Sequence, residues 1–283
     1  MAVPVTAVRV PVRRAVIVFV VVPAGVLVVV VGCVRGPILT RTLTLVVAAV
    51  LFDFYGTLAR AVSWGPRVEE LLAGHGLLLD PDAHARWQWE AADGTEHLEA
   101  SADRDRYVAW ERARFCRLVE GCGADPSVVE KVADEIYGAT KTFTLAAYPE
   151  VAEVLGVLRS RGVTLAVCSN WDWDLDRALA QAGLEHLVDV VVTSAQAGAR
   201  KPHPRIYQQT LERCGVPPDQ ALFVGDSWGP DVEGPLAAGL RPVHVWREEE
   251  PHTPTAGPPA LVDGVRRVTD LRGVLPVAGL TRG

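Results

Sequence analysis

Residues 45–58 read LVVAAVLFDFYGTL, and they set the kind of sheet the chain builds. From Leu45 to Phe52 the run is continuously apolar and rich in β-branched residues, the pattern of a strand buried on both faces. It stops at Asp53, and Gly56-Thr57 supplies a turn. Further along, PEVAEVLGVLRSRG reads as a helix with Pro149 at its start and Gly162 at its end, burying Val151, Val154, Leu155 and Leu158 at helical spacing. The strand VTLAVCSN follows, then a helix from Asp174 to Ala182, a strand from Val188 to Val192 and a helix from Pro204 to Cys214. Ala221–Gly225 and Pro242–Trp246 are two more strands, separated by a short helix from Pro230 to Ala238. Short apolar strands alternating with amphipathic helices define an α/β fold with a mainly parallel sheet.

Between Ala59 and Ala146 the sequence carries no strand signal. Its 16 acidic and 10 basic residues fall in helix-like runs. The segment is too long for an ordinary loop and is expected to be a helical insertion after the first strand. Trp64, Trp87, Trp89 and Trp110 lie in it, either lining a cleft or forming its core. Arg247–Pro259, rich in proline, reads as an exposed loop, and the tail adds a small strand and a helix.

In parallel α/β sheets, ligands sit at the carboxyl ends of the strands. Four strand ends place reactive groups there: Asp53, then Ser169-Asn170, then Lys201 within GARKPHPRIY, then Asp226 within VGDSWGPDVEG, with Asp231 five residues on. Asp53 and Asp226 can share a divalent cation such as Mg²⁺, which prefers carboxylate oxygen. Lys201 and Ser169 suit the oxygens of an anionic substrate. A carboxylate in that setting is a nucleophile, and phosphoryl transfer is the natural reaction.

These motifs, covering about residues 46–275, resemble those of the haloacid dehalogenase superfamily, most of whose members are Mg²⁺-dependent phosphatases. The resemblance implies an α/β, Rossmann-like parallel sheet with an inserted helical cap. The core would comprise residues 46–58 and 147–283, and the C1-type cap residues 59–146. It makes Asp53 the nucleophile, with Thr57 and Ser169 holding the transferring group and Lys201 stabilising its charge. Asn170 joins Ser169 at the substrate. Asp53, Asp226, Asp231 and the Tyr55 carbonyl would bind Mg²⁺.

The sequence departs from the phosphatase pattern at Tyr55, where those enzymes carry an Asp that protonates the leaving group. A phenol with a pKa near 10 is a poor substitute. DFYGTL is similar to the first motif of the 2-haloacid dehalogenases, from which a halide leaves without a proton; Arg86 would then be the cap arginine that receives halide or carboxylate. GDSWGPD instead resembles the phosphatase motif, and SNWDWDL resembles a group in which the second Asp of the first motif is missing. Asp172 or Asp174 is a candidate for the missing proton transfer. The expected function is a Mg²⁺-dependent phosphatase of small phosphorylated metabolites, acting through an aspartyl intermediate. A 2-haloacid dehalogenase and a catalytically weak binding protein are the alternatives.

Composition bounds the rest. The chain has 283 residues, 49 % of them apolar, and a formal net charge of −6. That supplies a sizeable core and excludes a mainly disordered chain. The acidic balance speaks against a nucleic-acid partner. Five cysteines without CxxC spacing read as reduced structural thiols. The expected partner is a small anion, a phosphate ester or a 2-haloacid, and the protein a monomer or homodimer.

Residues 1–50 differ in kind, with 19 valines, five arginines and no Asp or Glu. Ala15–Val34 is twenty residues without a charge, and a helix of that length spans about 30 Å, a bilayer core. Arg9, Arg13 and Arg14 precede it, and Val30-Val31-Gly32-Cys33 resembles a lipoprotein box with Cys33 lipidated. Against a helix, valine is a poor helix former and Pro23 and Gly25 interrupt the run. The extension, residues 1–45, is therefore an anchor, a signal or a mis-assigned start. A cytoplasmic protein is expected, with membrane anchoring through residues 15–34 or Cys33 as the alternative.

Overall fold

The computed structural model describes residues 8–12, 15–21, 27–32, 39–43, 47–248 and 257–280. The chain divides into two compact units, Met1–Val47 and Ala48–Gly283.

The first unit holds four strands, β1 (Val8–Val12), β2 (Ala15–Val21), β3 (Leu27–Gly32) and β4 (Leu39–Leu43), paired antiparallel in chain order. This corrects the helical reading of residues 15–34. Valine's branched side chain fits a pleated sheet better than a helix, and Pro23 and Gly25 fall between β2 and β3. No helix among the described residues is long and apolar enough to cross a membrane. Cys33 lies outside the described residues.

In the second unit, β5 (Ala49–Phe52) leads through Asp53 and a tight turn into β6 (Ala59–Trp64). Four helices follow: α1 (Val68–Gly74), α2 (Pro81–Trp89), α3 (Arg104–Gly121) and α4 (Val129–Ala139). The Asp80 and Asp103 carboxylates cap α2 and α3, accepting from Ala83 N (2.7 Å) and Arg106 N (2.9 Å). The helices bury a core of their own, in which Val132, Ala133 and Ile136 of α4 meet Phe115, Leu118 and Val119 of α3. The chain returns through β7 (Phe143–Ala147), antiparallel to β6 with Ala59 opposite Ala147. These two strands correct the expectation of none between Ala59 and Ala146. Neither ARAVSW nor FTLAA has a long apolar run, and their pairing exists only because the insertion closes on itself.

The remainder runs α5 (Val151–Ser160), β8 (Thr164–Ser169), α6 (Leu175–Gln181), β9 (Val190–Thr193), α7 (Ser194–Ala197) and α8 (Pro204–Cys214). Then come β10 (Ala221–Gly225), a π-helical turn, α9 (Gly234–Ala237), β11 (Arg241–Val245), β12 (Arg266–Val268) and α10 (Val274–Val277). Six strands form a parallel sheet in the order β12-β11-β10-β5-β8-β9. Leu51, Ala166 and Phe223 pack on one face with Ile206 and Tyr207 of α8. Their neighbours Val50, Leu165, Val167, Leu222 and Val224 are fully buried too, so the sheet is covered on both sides. Each such large apolar side chain contributes about 1.5–3 kcal/mol of burial. Residues 249–256 of the expected exposed loop lie outside the described residues.

Candidate active site

The parallel register brings the carboxyl ends of β5, β8 and β10 side by side, so Asp53, Ser169 and the Asp226 loop meet although 116 and more residues of sequence separate the first from the others. The buried Lys201 ammonium donates to Asp53 Oδ1 at 2.7 Å and to Asp231 Oδ1 at 2.6 Å. The Thr57 hydroxyl donates to Asp226 Oδ1 (3.0 Å), and Ser227 N to Asp231 Oδ2 (2.9 Å). Asp53, Asp226 and Asp231 each offer an oxygen within 4.8 Å of the other two.

Two glycines permit this convergence. A Cβ on Gly56, whose φ is +85°, would lie 2.5 Å from Asp226 Oδ2, and one on Gly225 would lie 2.3 Å from the Asp231 Cγ. Beneath the loop, Tyr207 donates to the Pro230 carbonyl and sets its ring edge-on to Phe223. Arg267 donates to His244 Nδ1 (3.0 Å), leaving Nε2–H to donate to the Asp226 carbonyl (3.0 Å).

One buried ammonium thus faces three carboxylates. Burial, then the charges of Asp53 and Asp231, push the Asp226 carboxyl up to about 8. Burial and Asp53 push Asp231 up to about 6, with Lys201 opposing. For Lys201, burial disfavours the ammonium, but Asp231 and Asp53 outweigh it and raise its pKa. Such a site favours a further positive charge, and its donors are hard oxygens of the kind Mg²⁺ prefers.

A carboxyl raised in the folded state costs stability as pH climbs from about 4 towards about 8, because the unfolded chain ionises it freely throughout that window. In EDTA, Asp226→Asn is therefore expected to melt like wild type near pH 4.5. At pH 8 it should melt at least about 3 °C higher, as read by scanning calorimetry. Parallel curves at both pH values would contradict this.

A cavity of about 260 Å³ opens over the cluster, lined by Asp53, Tyr55, Ser169, Asn170, Lys201 and Asp231. Asn170 is held by the Lys201 backbone, its Oδ1 accepting from Lys201 N (2.7 Å) and its Nδ2 donating to Lys201 O (3.1 Å). The structure does not bring Arg86 here; it lies on exposed α2 and lines a larger cavity beside this one. Nor does it bring Asp172 or Asp174. Asp172 is paired with Lys141, and Asp174 takes both a 3.1 Å and a 2.5 Å bond from Arg104, which ties the insertion to the core.

The small cavity instead contains Asp93, which belongs to no evident motif, and Arg200, the neighbour of Lys201 in GARKPHPRIY. Asp93 Oδ1 accepts from Asn170 Nδ2 at 2.9 Å, and its carboxylate lies 3.9 Å from Arg200. It reaches the site because residues 94–97 pair antiparallel with 198–201. Gly94 N donates to Lys201 O (3.1 Å), Arg200 N to Thr95 O (2.9 Å) and His97 N to Gly198 O (2.8 Å).

A parallel sheet with a carboxylate–lysine cluster at its strand ends, under a helical insertion that follows the first of those strands, defines a capped α/β hydrolase. The chain belongs to the haloacid dehalogenase-like hydrolases, whose family model matches residues 47–239. It is 35 % identical over 196 residues to phosphoserine phosphatase from Thermus thermophilus, covering 69 % of this chain and 74 % of that one. It is 32 % identical over 163 residues to glyceraldehyde 3-phosphate phosphatase from Methanopyrus kandleri, covering 56 % and 70 %. In fold it resembles 2-haloacid dehalogenase from Pseudomonas syringae, with a TM-score of 0.53 and 21 % identity over 82 % of this chain and 98 % of that one.

Proposed function

We propose that the protein is a Mg²⁺-dependent phosphatase acting on a phosphate monoester through an aspartyl phosphate at Asp53. The observation that carries the reading is the Asp53–Asp226–Asp231 cluster with its single buried lysine. The phosphatase names of the two relatives above support it. Asp53, Asp226, Asp231 and the Tyr55 carbonyl would hold Mg²⁺, which when bound would neutralise charge on the phosphoryl oxygens.

The chain's own residues account for the rest. Lys201 fixes one oxygen of Asp53, leaving the other to attack phosphorus as the bond to the leaving oxygen breaks. The Ser169 hydroxyl and the Lys201 ammonium hold the phosphoryl oxygens, while the Thr57 hydroxyl, given to Asp226 Oδ1, holds that carboxylate instead. The leaving oxygen needs a proton, and Asp93 is the carboxyl group in the cavity that can give it. Its carboxylate then takes a proton from the water that attacks phosphorus, the bond to Asp53 breaks, and inorganic phosphate leaves with Asp53 restored.

With p-nitrophenyl phosphate the full chain is expected to release phosphate in Mg²⁺ and not in EDTA. Asp93→Asn should lower kcat/KM about 100-fold for an alkyl phosphate but little for p-nitrophenyl phosphate, because that ratio reports transfer to Asp53 and nitrophenolate leaves without a proton. Equal loss of kcat/KM on both would remove Asp93 from protonation of the leaving group. Tyr55 favours a second reading, dehalogenation; chloride release from 2-chloropropionate in EDTA, without phosphatase activity, would establish it.

A further inference from the structure

Beside the reaction cavity lies a second one of about 990 Å³, nearly four times the volume of the first. Trp64, Asn170, Trp171 and Arg200 line both, so the larger space begins where the smaller ends. Its walls come from α2, α3, the end of α4 and the residues after β8. They are rich in aromatic rings, among them Trp87, Trp89 and Phe115.

Two of its rings are unusually bare: Trp64 is 57 % exposed and Trp89 79 % exposed. Trp64 packs against Tyr55, two residues from the nucleophile, at 5.6 Å between ring centroids. Four of the seven charged side chains in the wall are paired with each other, and Asp82, Arg86 and Arg200 are the rest. Arg114 is bound by Glu111 at 2.9 Å, and Lys141 by Asp172. A chamber this large and this rich in tryptophan is a good host for a planar apolar group.

Building on the phosphatase reading, we propose that this chamber seats the leaving group, and that the substrate class is phosphate monoesters of bulky aromatic alcohols. The phosphate would sit over Asp53 while the aromatic body passes between Trp64 and Trp171 towards Trp87 and Trp89. A three-carbon polar leaving group would leave most of the chamber filled with water. An aromatic one would bury its faces against tryptophan, and it gains rate only where those contacts persist in the transition state.

The test compares ethyl, benzyl and 1-naphthylmethyl phosphates, whose alcohols leave with similar intrinsic ease, using the full chain in Mg²⁺. We expect kcat/KM to rise along the series, with 1-naphthylmethyl at least about 30-fold above ethyl phosphate. Trp89→Ala, at a side chain exposed enough to be dispensable for folding, should cut the ratio of naphthylmethyl to ethyl phosphate turnover fivefold or more. Binding of 1-naphthylmethyl phosphonate should quench tryptophan fluorescence more weakly in Trp89→Ala than in wild type. A flat series, or equal loss on all three esters, would overturn the chamber's role while leaving the phosphatase reading standing. No hydrolysis of these esters or of acetyl phosphate would sink the phosphatase reading itself.

Discussion

Asp53→Asn is expected to be folded and inert. The variant keeps the size of the side chain and an oxygen that can accept from Lys201 Nζ, but the amide is no nucleophile. Mg²⁺-dependent turnover should fall by at least about a thousandfold, the scale on which loss of an enzymatic nucleophile is felt. Its stability should move the other way or not at all. Three carboxylates compete for one ammonium, and removing the charge of Asp53 relieves the pressure on Asp226. A melting temperature in EDTA at or above that of wild type, together with lost turnover, separates chemistry from folding. Turnover within tenfold of wild type would show that another group attacks.

Lys201→Met should have the largest effect on stability. The side chain is 2 % exposed and binds two carboxylates at 2.6–2.7 Å, so its loss strands buried negative charge. Breaking such a pair from one side typically costs about 3–5 kcal/mol. For a domain of this size that lowers the melting temperature by on the order of 10 °C. The deficit should shrink as pH falls, because without the ammonium Asp231 takes up a proton more readily still. Mg²⁺ should raise the melting temperature of the variant more than that of wild type, because the ion restores part of the missing charge. Equal stability of variant and wild type at pH 8 in EDTA would mean that the lysine is not what holds the cluster together.

The core of the site was legible in the sequence because strand periodicity locates strand ends. Asp53, Ser169 and Asp226 follow short apolar runs, Lys201 and Asp231 lie in the segments just beyond β9 and β10, and the parallel sheet brings such ends together. Asp93 was not legible. Asp93 sits in the helical insertion, and its place depends on residues 94–97 pairing with a segment about a hundred positions away. The Asp93-Gly94 pair signals a turn, but no local pattern says where that turn docks. β6 and β7 were missed for the same reason, since each is a strand only beside the other. In the valine-rich segment the length argument for a helix stood beside a β-branched composition that speaks against one, and the described backbone follows the composition. Asp172 and Asp174 had the right chemistry but are taken up by Lys141 and Arg104.

The pairing of residues 94–97 with 198–201 has a mechanical consequence. A lid joined to its base at two points, here the β6 and β7 strands, has an axis about which to swing. A third attachment off that axis removes the swing until it is undone. Here one such point is stitched to the backbone of Lys201 itself, so a lid that lifted would also tug on the lysine that binds Asp53.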